Sequence, residues 1–235
     1  MADLVVERAL AVMAHPDDVD FGSAGTIAQW TDAGIEVTYC IVTDGDAGGF
    51  DPSVPRDRIG GIRRDEQRAA AKEVGVSDVR FLGYPDGRLE VSFELRRDIS
   101  RVIREVRPQR VICQSPHRNM LRIPASHPDH LAAGEAALCA IYPDARNPFA
   151  HPELADLEAW SVAETWVGGY EQANRYVDVT DAWDRKMAAL HAHASQHPNP
   201  DALDPMMRGW NGSNAAAGGL PPGRLAEAFW VFATA

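Results

Sequence analysis

The sequence predicts an α/β fold in which a doubly wound, mostly parallel sheet carries helices on both faces. Short apolar runs without polar alternation are typical of strands that are covered on both faces, and such runs recur through the first half of the chain. Segments with apolar residues at helical spacing separate these runs, and parallel strands need such crossover helices. With 235 residues, 45% of them hydrophobic, the chain can bury a substantial core, so we expect a single domain over residues 1–235.

Strands and helices alternate regularly between residues 9 and 114. The first predicted helix ends at Gly34, a residue type that is common just after helices. In the third predicted helix, Leu95, Ile99 and Val102 recur at helical intervals. The predicted strands are 9–15, 35–45, 79–87 and 110–114, and the predicted helices are 22–34, 61–76 and 92–107.

The second half of the chain is less regular. Its predicted elements, after a polar stretch over 115–130, are a helix over 131–141, strands over 163–170 and 175–180, and a helix over 183–196. We expect the histidines of that last helix, including His193, at the surface. Region 197–223 is rich in Pro, Gly and Asn, which favours a long surface loop that lines or covers a site. Within it, Met206, Met207 and Trp210 could form an apolar pocket or pack against the domain itself.

The charge of the chain excludes several classes of partner. A formal net charge of −11 and a pI near 5.1 repel phosphate backbones and anionic lipid surfaces, so we expect neither nucleic acid nor a membrane as a partner. The sequence shows no signal peptide, and no apolar run approaches the roughly 20 residues of a membrane helix, which predicts a cytoplasmic protein. Cys40, Cys113 and Cys139 lie in apolar surroundings without CxxC spacing and are predicted to be buried apolar side chains.

Acidic or histidine-containing turns follow the predicted strands of the first half. They read HPDD, DGDAGG, YPDG and SHPDH. Because ligands of open α/β sheets bind at the carboxyl ends of strands, we expect these turns to converge on one site. His15, Asp18 and His130 would then supply two imidazoles and one carboxylate, the three-ligand set that leaves a fourth position open in catalytic zinc sites. Either motif alone is also typical of a helix start, where aspartate satisfies free backbone N–H groups.

Further acid–base groups accompany these candidate ligands. Asp17, adjacent to Asp18, is placed to accept a proton from an attacking water. His127 and His130 are three residues apart in sequence, a spacing that brings two side chains to one face of a helical turn. If His130 is the ligand, His127 would stabilise an oxyanion and protonate a leaving amine, while Asp129 would hold the imidazolium by a hydrogen bond.

Six motifs follow one another along most of the chain. They are AHPDD followed by GSAGT, VTDGDAGG, the RxxE pattern at Arg63 and Glu66, FLGYPDG, SHPDH and, less specifically, KMAALHAHASQ. On these motifs the chain resembles the PIG-L/LmbE family of zinc-dependent N-acetylglucosamine deacetylases. The resemblance implies a Rossmann-like fold and one zinc ion per chain on His15, Asp18 and His130, with Fe²⁺ or another divalent metal as the alternative. It also implies Asp17 as general base and His127 as electrostatic stabiliser or general acid.

The resemblance further implies that Arg63 and Asp86 hydrogen-bond sugar hydroxyls, which suits the donor fork of arginine and the acceptor oxygens of a carboxylate. Each residue also fits a purely structural role, Arg63 as a charge on a helix surface and Asp86 in a PDG turn. The chain departs from the common family pattern HPDDE, because Val19 follows the aspartate pair and the next acid is Asp20.

These motifs predict metal-dependent hydrolysis of the N-acetyl amide of an N-acetylglucosamine-type sugar or conjugate, which releases acetate and a free amine. The predicted partner is a small-molecule amino-sugar conjugate, and the sequence is compatible with a homo-oligomer. Two alternatives stay open. One is an amidase that cleaves a larger acyl group from a thiol-sugar or antibiotic conjugate. The other is a non-catalytic nucleotide-binding domain, although no GxGxxG motif follows the first strand.

Overall fold

A seven-stranded sheet forms the centre of the computed structural model, which describes residues 4–235 apart from the side chain of Pro124. The strands are β1 (Arg8–Met13), β2 (Glu36–Thr43), β3 (Asp78–Tyr84), β4 (Arg110–Gln114), β5 (Glu164–Gly168), β6 (Arg175–Asp178) and β7 (Ala226–Ala233). Their order across the sheet is β3-β2-β1-β4-β5-β7-β6. β1 to β5 run parallel, whereas β7 is antiparallel to both of its neighbours.

Helices cover both faces of this sheet. They are α1 (Asp18–Asp32), α2 (Arg56–Glu73), α3 (Phe93–Val106), α4 (Pro128–Cys139), α5 (Trp183–His191) and α6 (Leu203–Ala217). Alternate residues of β1 face two separate cores, since Ala9 and Ala11 pack with α1 and α2 whereas Leu10 and Val12 pack with α3 and α4. Between residues 4 and 235, no helix combines the length and the apolar composition that crossing a membrane would need.

Local sequence sets where the helices begin. Ser92 caps α3, because its Oγ accepts a hydrogen bond from the backbone N–H of Leu95 at 3.1 Å. α1 begins at Asp18, one turn before the predicted start at Gly22. Its first turn carries Asp18 and Asp20, whose negative charges interact favourably with the positive end of the helix dipole. The HPDD motif therefore lies at the junction between a strand and a helix.

The architecture confirms the predicted α/β fold with a mostly parallel sheet, but the end of the chain differs from the prediction. The prediction of one long loop over 197–223 is wrong, because α6 lies within it. Leu203, Met207, Asn211 and Ala215 recur every four residues and are buried on one side of this helix. β7, for which no strand was predicted, follows and inserts between β5 and β6.

The three cysteines are free thiols. Cys40 and Cys113 are buried in the sheet as predicted, whereas Cys139 is partly exposed at the end of α4. Burial raises the pKa of the Cys40 and Cys113 thiols to about 12, so both stay protonated at neutral pH.

Candidate active site

β1 and β4 are neighbours in the sheet and run in the same direction, so both end at one edge. β1 leads directly into the HPDD motif, and the segment after β4 leads into the HPDH motif at the start of α4. Gln114, the last residue of β4, joins the two strand ends, because its Oε1 accepts a hydrogen bond from the backbone N–H of Ala14 at 2.9 Å. His15 and His130, 115 positions apart in sequence, are thereby brought into contact.

The three candidate metal ligands face one another at short range. The Nδ1 atom of His15 lies 3.1 Å from Asp18 Oδ2 and 3.2 Å from His130 Nε2. His130 Nε2 lies 3.0 Å from Asp18 Oδ1. Ligand atoms that are each about 2.0 Å from a tetrahedral metal ion lie about 3.3 Å from one another. Two imidazole nitrogens and a carboxylate at these separations therefore fit a divalent ion.

Hydrogen bonds on the far side of each imidazole orient the two ligating nitrogens. His15 Nε2 lies 3.1 Å from Asp86 Oδ1 and 3.3 Å from Asp129 Oδ2. His130 Nδ1 lies 3.3 Å from the carbonyl oxygen of Ala125. Because all three partners are acceptors, the proton of each neutral ring is held there, and the lone pairs of His15 Nδ1 and His130 Nε2 are left for a metal.

The same carboxylates control the protonation of the candidate ligands. Burial lowers the pKa of His15, but its neighbouring carboxylates, Asp18 foremost, raise it to about 12. Burial also lowers the pKa of His130, and Asp18 raises it above its ordinary value. Burial raises the pKa of Asp18, but the two imidazoles hold it well below its usual range. A metal ion that binds here must displace protons from imidazoles.

Two other sets of three potential ligands share His15. In one, His127 takes the place of Asp18, and in the other, Asp86 and Asp129 join His15. The Asp86 and Asp129 carboxylates already accept hydrogen bonds from backbone N–H groups and lie on the Nε2 side of the ring. The Nδ1 atom of His127 accepts a hydrogen bond from the backbone N–H of Asp129 at 3.2 Å. Because these hydrogen bonds already engage the competing side chains, Asp18 is favoured as the third ligand.

The contacts of Asp129 differ from the prediction that it holds the His127 imidazolium. Its carboxylate accepts hydrogen bonds from the backbone N–H groups of Gly87 at 2.7 Å and Leu89 at 3.2 Å, and it contacts His15. The reason is that His127 is the N-cap of α4, so its ring meets the backbone of Asp129 rather than the side chain. Burial and the nearby His15 lower the pKa of His127, so its imidazole is neutral at pH 7.

Asp17 lies beside the ligands in an uncommon backbone conformation, with φ 95° and ψ −31°. Its Oδ2 accepts a hydrogen bond from Nη2 of Arg63 at 3.0 Å. Burial raises the pKa of Asp17 to about 6, although Arg63 opposes the shift. A carboxylate with this pKa is ionised at pH 7 and still basic enough to accept a proton, which a general base requires.

The structure buries Arg63 and Asp86, the two residues that were predicted to bind sugar. Arg63 is 4% exposed and donates to the carbonyl oxygens of Pro16 at 2.5 Å and Gly45 at 3.1 Å, so the alternative of a helix-surface charge is wrong. The Asp86 carboxylate is shared between a backbone N–H and the Nε2 atom of His15. Both side chains support neighbouring site residues, and their binding of sugar hydroxyls stays a prediction.

The sequence analysis did not predict a row of buried, hydrogen-bonded side chains behind Asp17. Gln67 Oε1 accepts a hydrogen bond from the backbone N–H of Asp17 at 2.8 Å, and its Nε2 donates to Asp20 Oδ2 at 2.8 Å. His193 Nε2 lies 2.9 Å from the same oxygen and the residue is fully buried, so its predicted surface position is wrong. Gln67 follows Arg63 by one turn of α2, and this spacing could have indicated that Gln67 also faces the site. No local pattern indicates the contact between His193 and Asp20.

A cavity of about 610 Å³ opens beside the candidate ligands. Trp210 and Met206 on α6 line it together with Arg122 from the segment before α4. The guanidinium carbon of Arg122 lies 3.5 Å from the centre of the Trp210 ring. Met207 does not line this cavity but is fully buried in the small core between α5 and α6. Neither of the two predicted sugar-binding residues is among the residues that line it.

Sequence comparisons match this chain to proteins named as deacetylases. The family model described as PIG-L, GlcNAc-PI de-N-acetylase, matches residues 10–141. A diacetylchitobiose deacetylase of Thermococcus kodakarensis is 32% identical over 194 residues, which cover 82% of this chain and 71% of that protein. A probable N-acetyl-alpha-D-glucosaminyl L-malate deacetylase 2 of Bacillus anthracis is 35% identical over 195 residues, which cover 80% of each chain.

Solved structures share the architecture. The N,N'-diacetylchitobiose deacetylase from Pyrococcus horikoshii, complexed with its inhibitor MPG, is 29% identical, and its TM-score is 0.89 over 97% of this chain and 84% of that chain. A 4-carboxy-2-hydroxymuconate hydratase from Pseudomonas putida is 20% identical, with a TM-score of 0.78 over 97% of this chain and 96% of that chain, and this likeness concerns the fold alone. Because the family model spans more than half of the chain and two relatives exceed 30% identity, the chain belongs to the PIG-L family of GlcNAc-PI de-N-acetylases.

Proposed function

We propose that this protein is a metal-dependent hydrolase that removes the acetyl group from the nitrogen of an N-acetylglucosamine-type sugar or conjugate. The observation that carries the proposal is the close set of His15, Asp18 and His130 with Asp17 beside it. Two relatives are named as a diacetylchitobiose deacetylase and a probable N-acetylglucosaminyl malate deacetylase, and both names fit this substrate class. The products are acetate and the free amino sugar.

Zinc is the proposed metal, with one ion per chain on His15, Asp18 and His130. Imidazole nitrogens and a carboxylate oxygen are donor types that catalytic zinc sites use. When bound, the ion would polarise the amide carbonyl and lower the pKa of water. Fe²⁺ is the alternative, because N/O donor sets accept several divalent metals.

Asp17 is the proposed general base, which takes a proton from the water that attacks the amide carbon. Its raised pKa, about 6, keeps it ionised at pH 7 and close to the pH at which proton transfer is efficient. Arg63 donates to Oδ2 of Asp17, which leaves Oδ1 as the oxygen available to the water. Arg63 thus fixes the carboxylate without taking part in the proton transfer.

His127, which the sequence suggested as electrostatic stabiliser or general acid, is the proposed hydrogen-bond donor to the amide oxygen. Because its Nδ1 accepts the backbone N–H of Asp129, the proton of the neutral ring lies on Nε2. An N–H donor fixed before the reaction stabilises the negative charge that develops on the carbonyl oxygen. As the C–N bond breaks, the amine nitrogen receives the proton that Asp17 took from the water, so the Nε2 proton of His127 stays on the ring and Asp17 returns to its ionised form. Asp129 has an indirect part, since its carboxylate orients His15.

The proposed partner is a small-molecule amino-sugar conjugate. A cavity of about 610 Å³ suits such a molecule, since small-ligand sites span roughly 300–1,000 Å³. We also infer that residues 1–235 form one domain that works in the cytoplasm, where its free thiols suit the reducing conditions.

The test is metal analysis coupled to acetate release from N-acetylglucosamine and N,N'-diacetylchitobiose. We expect a zinc-dependent activity that a chelator abolishes and added zinc restores. Asp17→Asn keeps the shape of the side chain, so it should retain zinc while kcat falls by about 10²–10⁴-fold. An Asp17→Asn enzyme with a wild-type rate, or full activity after complete metal removal, would contradict the proposal.

A second candidate is an amidase that removes a larger acyl group. The cavity favours it, because Phe21, Met206 and Trp210 give the wall apolar surface. Measurement of kcat/KM for N-acetyl and N-octanoyl glucosamine, which differ only in the acyl group, would decide between the two candidates. A higher kcat/KM for the octanoyl amide would favour the amidase, whereas a preference for the acetyl amide would retain the deacetylase.

A further inference from the structure

Asp17 has a backbone conformation that aspartate rarely adopts. Its φ of 95° and ψ of −31° lie outside the left-handed helical region, which is centred near φ +57° and ψ +47°. Among residues 4–235, Arg107 is the other non-glycine residue with positive φ, and it ends α3 with an ordinary left-handed φ of 55°. A residue held in such a sparsely populated region persists only when its surroundings fix it.

The peptide group between Pro16 and Asp17 is held at both ends by α2. Its carbonyl oxygen accepts a hydrogen bond from Nη2 of Arg63 at 2.5 Å. Its N–H donates to Oε1 of Gln67 at 2.8 Å. Arg63 and Gln67 are one helical turn apart, so both side chains project from the same side of α2. Rotation of this peptide group, which would let Asp17 return to negative φ, breaks both hydrogen bonds.

Asp20 fixes the orientation of the Gln67 amide. The amide nitrogen of Gln67 donates to Asp20 Oδ2 at 2.8 Å, and the amide nitrogen is the only end of that group that can donate. The amide oxygen of Gln67 is thereby directed to the N–H of Asp17. His193 Nε2 lies 2.9 Å from the same carboxylate oxygen, and Gln67, Asp20 and His193 are all fully buried. Water therefore does not compete for these hydrogen bonds.

We propose that Gln67, oriented by Asp20 and His193, is a positioning residue that holds the Asp17 backbone so that its carboxylate faces the reacting water. Asp18, the next residue, contributes to the metal site, so one turn must present two adjacent carboxylates in different directions. Positive φ at Asp17 separates the two side chains, and Gln67 maintains that φ. This inference rests on the proposed function, because it takes Asp17 as the base.

The test is Gln67→Met, which keeps nearly the same volume and removes both hydrogen bonds. We expect kcat for acetate release to fall on the order of 10- to 100-fold, because misplacing a catalytic group by about 1 Å costs about 10²-fold. KM should stay within about twofold and the zinc content should be unchanged, because no metal ligand is altered. The visible spectrum of the cobalt-substituted enzyme should also be unchanged, which a general loss of structure would not allow.

Gln109→Met is the matched control. Gln109 Oε1 also accepts backbone N–H groups, those of Glu7 at 3.1 Å and Arg8 at 2.8 Å, but at the opposite end of β1. Its kcat should remain within about twofold of wild type, because local changes distant from a site have little effect on it. Gln67→Asn serves as a second variant, since an amide that is one methylene shorter cannot span Asp17 and Asp20, and the same loss of kcat is expected.

Asp17→Asn, measured in the same assay, separates this inference from the proposed function. If Asp17→Asn is inactive while folded Gln67→Met or Gln67→Asn has wild-type kcat, the positioning role is wrong and the proposed base stands. If Asp17→Asn has wild-type kcat, the proposed base is wrong and the positioning role falls with it. Lower kcat in both Gln67 variants with unchanged KM and zinc content supports the inference.

Discussion

The part of the chain up to residue 141 and the part after it contribute differently to the site. The first part contains β1 to β4 and all proposed ligands, together with the proposed base, and it is the part that the family model matches, over residues 10–141. The second part contributes Met206 and Trp210 to the cavity and His193 to the contacts behind Asp17. The proposed ligands and base thus lie in the first part, whereas residues of both parts line the cavity.

The second part also holds the helix that bears the proposed ligand Asp18. Lys186 and Glu227 form a fully buried ion pair, with Nζ 2.6 Å from Oε1. The pair contacts the backbone of α1, at the carbonyl oxygens of Asp20 and Phe21 and the N–H groups of Gly25 and Thr26. Because a buried charge needs a partner, this pair ties α1 to α5 and β7.

The largest effect on activity is expected from Asp18→Ala in the first part. Loss of the carboxylate removes one of three ligand side chains, so bound zinc and acetate release should both fall to background. Metal content after dialysis and acetate release measure the two effects. Asp32→Ala, at the exposed end of the same helix, is the control and should keep both properties. If Asp18→Ala still binds zinc, Asp18 is not a required ligand, and the alternative set of His15, His127 and His130 would hold the metal.

Lys186→Met in the second part should act on stability. It leaves the Glu227 carboxylate buried without its cation, so we expect the free energy of unfolding to fall by about 3–5 kcal/mol. Denaturant titration of the zinc-loaded protein measures this change. The neighbouring variant Arg185→Met removes an exposed ion pair with Asp32 and should cost less than about 1 kcal/mol. Equal losses in the two variants would show that the buried pair has no special role.

Zinc affinity should depend strongly on pH, because the candidate imidazoles in the first part carry protons before the metal binds. Burial lowers the pKa of both imidazoles, but Asp18 raises it by more, so the net shift is upward and reaches about 12 for His15. Protons therefore compete with the metal for these nitrogens and are released on binding. Affinity should therefore weaken as pH falls, by up to about 100-fold per pH unit for two protons. Calorimetry in buffers of different ionisation enthalpy counts the released protons. Binding without proton release would contradict the assigned ligands.

The two parts also differ in how far the sequence predicts them. The first part was predicted well, because apolar runs indicate buried parallel strands and their ends must meet at one edge. The convergence of His15 and His130 follows from that topology alone, whereas the direction of each side chain does not. Asp129 was predicted to hold the imidazolium of His127, but at the start of α4 the Asp129 carboxylate faces His15 instead. The direction of this side chain depends on the local backbone geometry, which the spacing of residues in the sequence does not specify.

The second part was predicted poorly for a different reason. In α6, the prolines, glycines and asparagines of the segment obscured the buried positions, of which Leu203 and Met207 are two. His193 was placed at the surface because its burial depends on Asp20, a partner 173 positions away in sequence. Contacts of this kind depend on tertiary structure, and a local pattern does not contain them.

Trp210→Ala is expected to have the smallest effect and tests most directly whether the second part selects substrate. The indole lines the cavity and stacks on Arg122, so its removal should raise KM for N,N'-diacetylchitobiose about tenfold, which corresponds to about 1.4 kcal/mol of binding. Its kcat should stay within about twofold, because Trp210 is neither a proposed ligand nor a proposed acid–base group. Trp210→Phe keeps an aromatic ring and should lie between wild type and Trp210→Ala. A lower kcat at unchanged KM would mean that the second part takes part in the chemistry, and the division between the two parts would then be wrong.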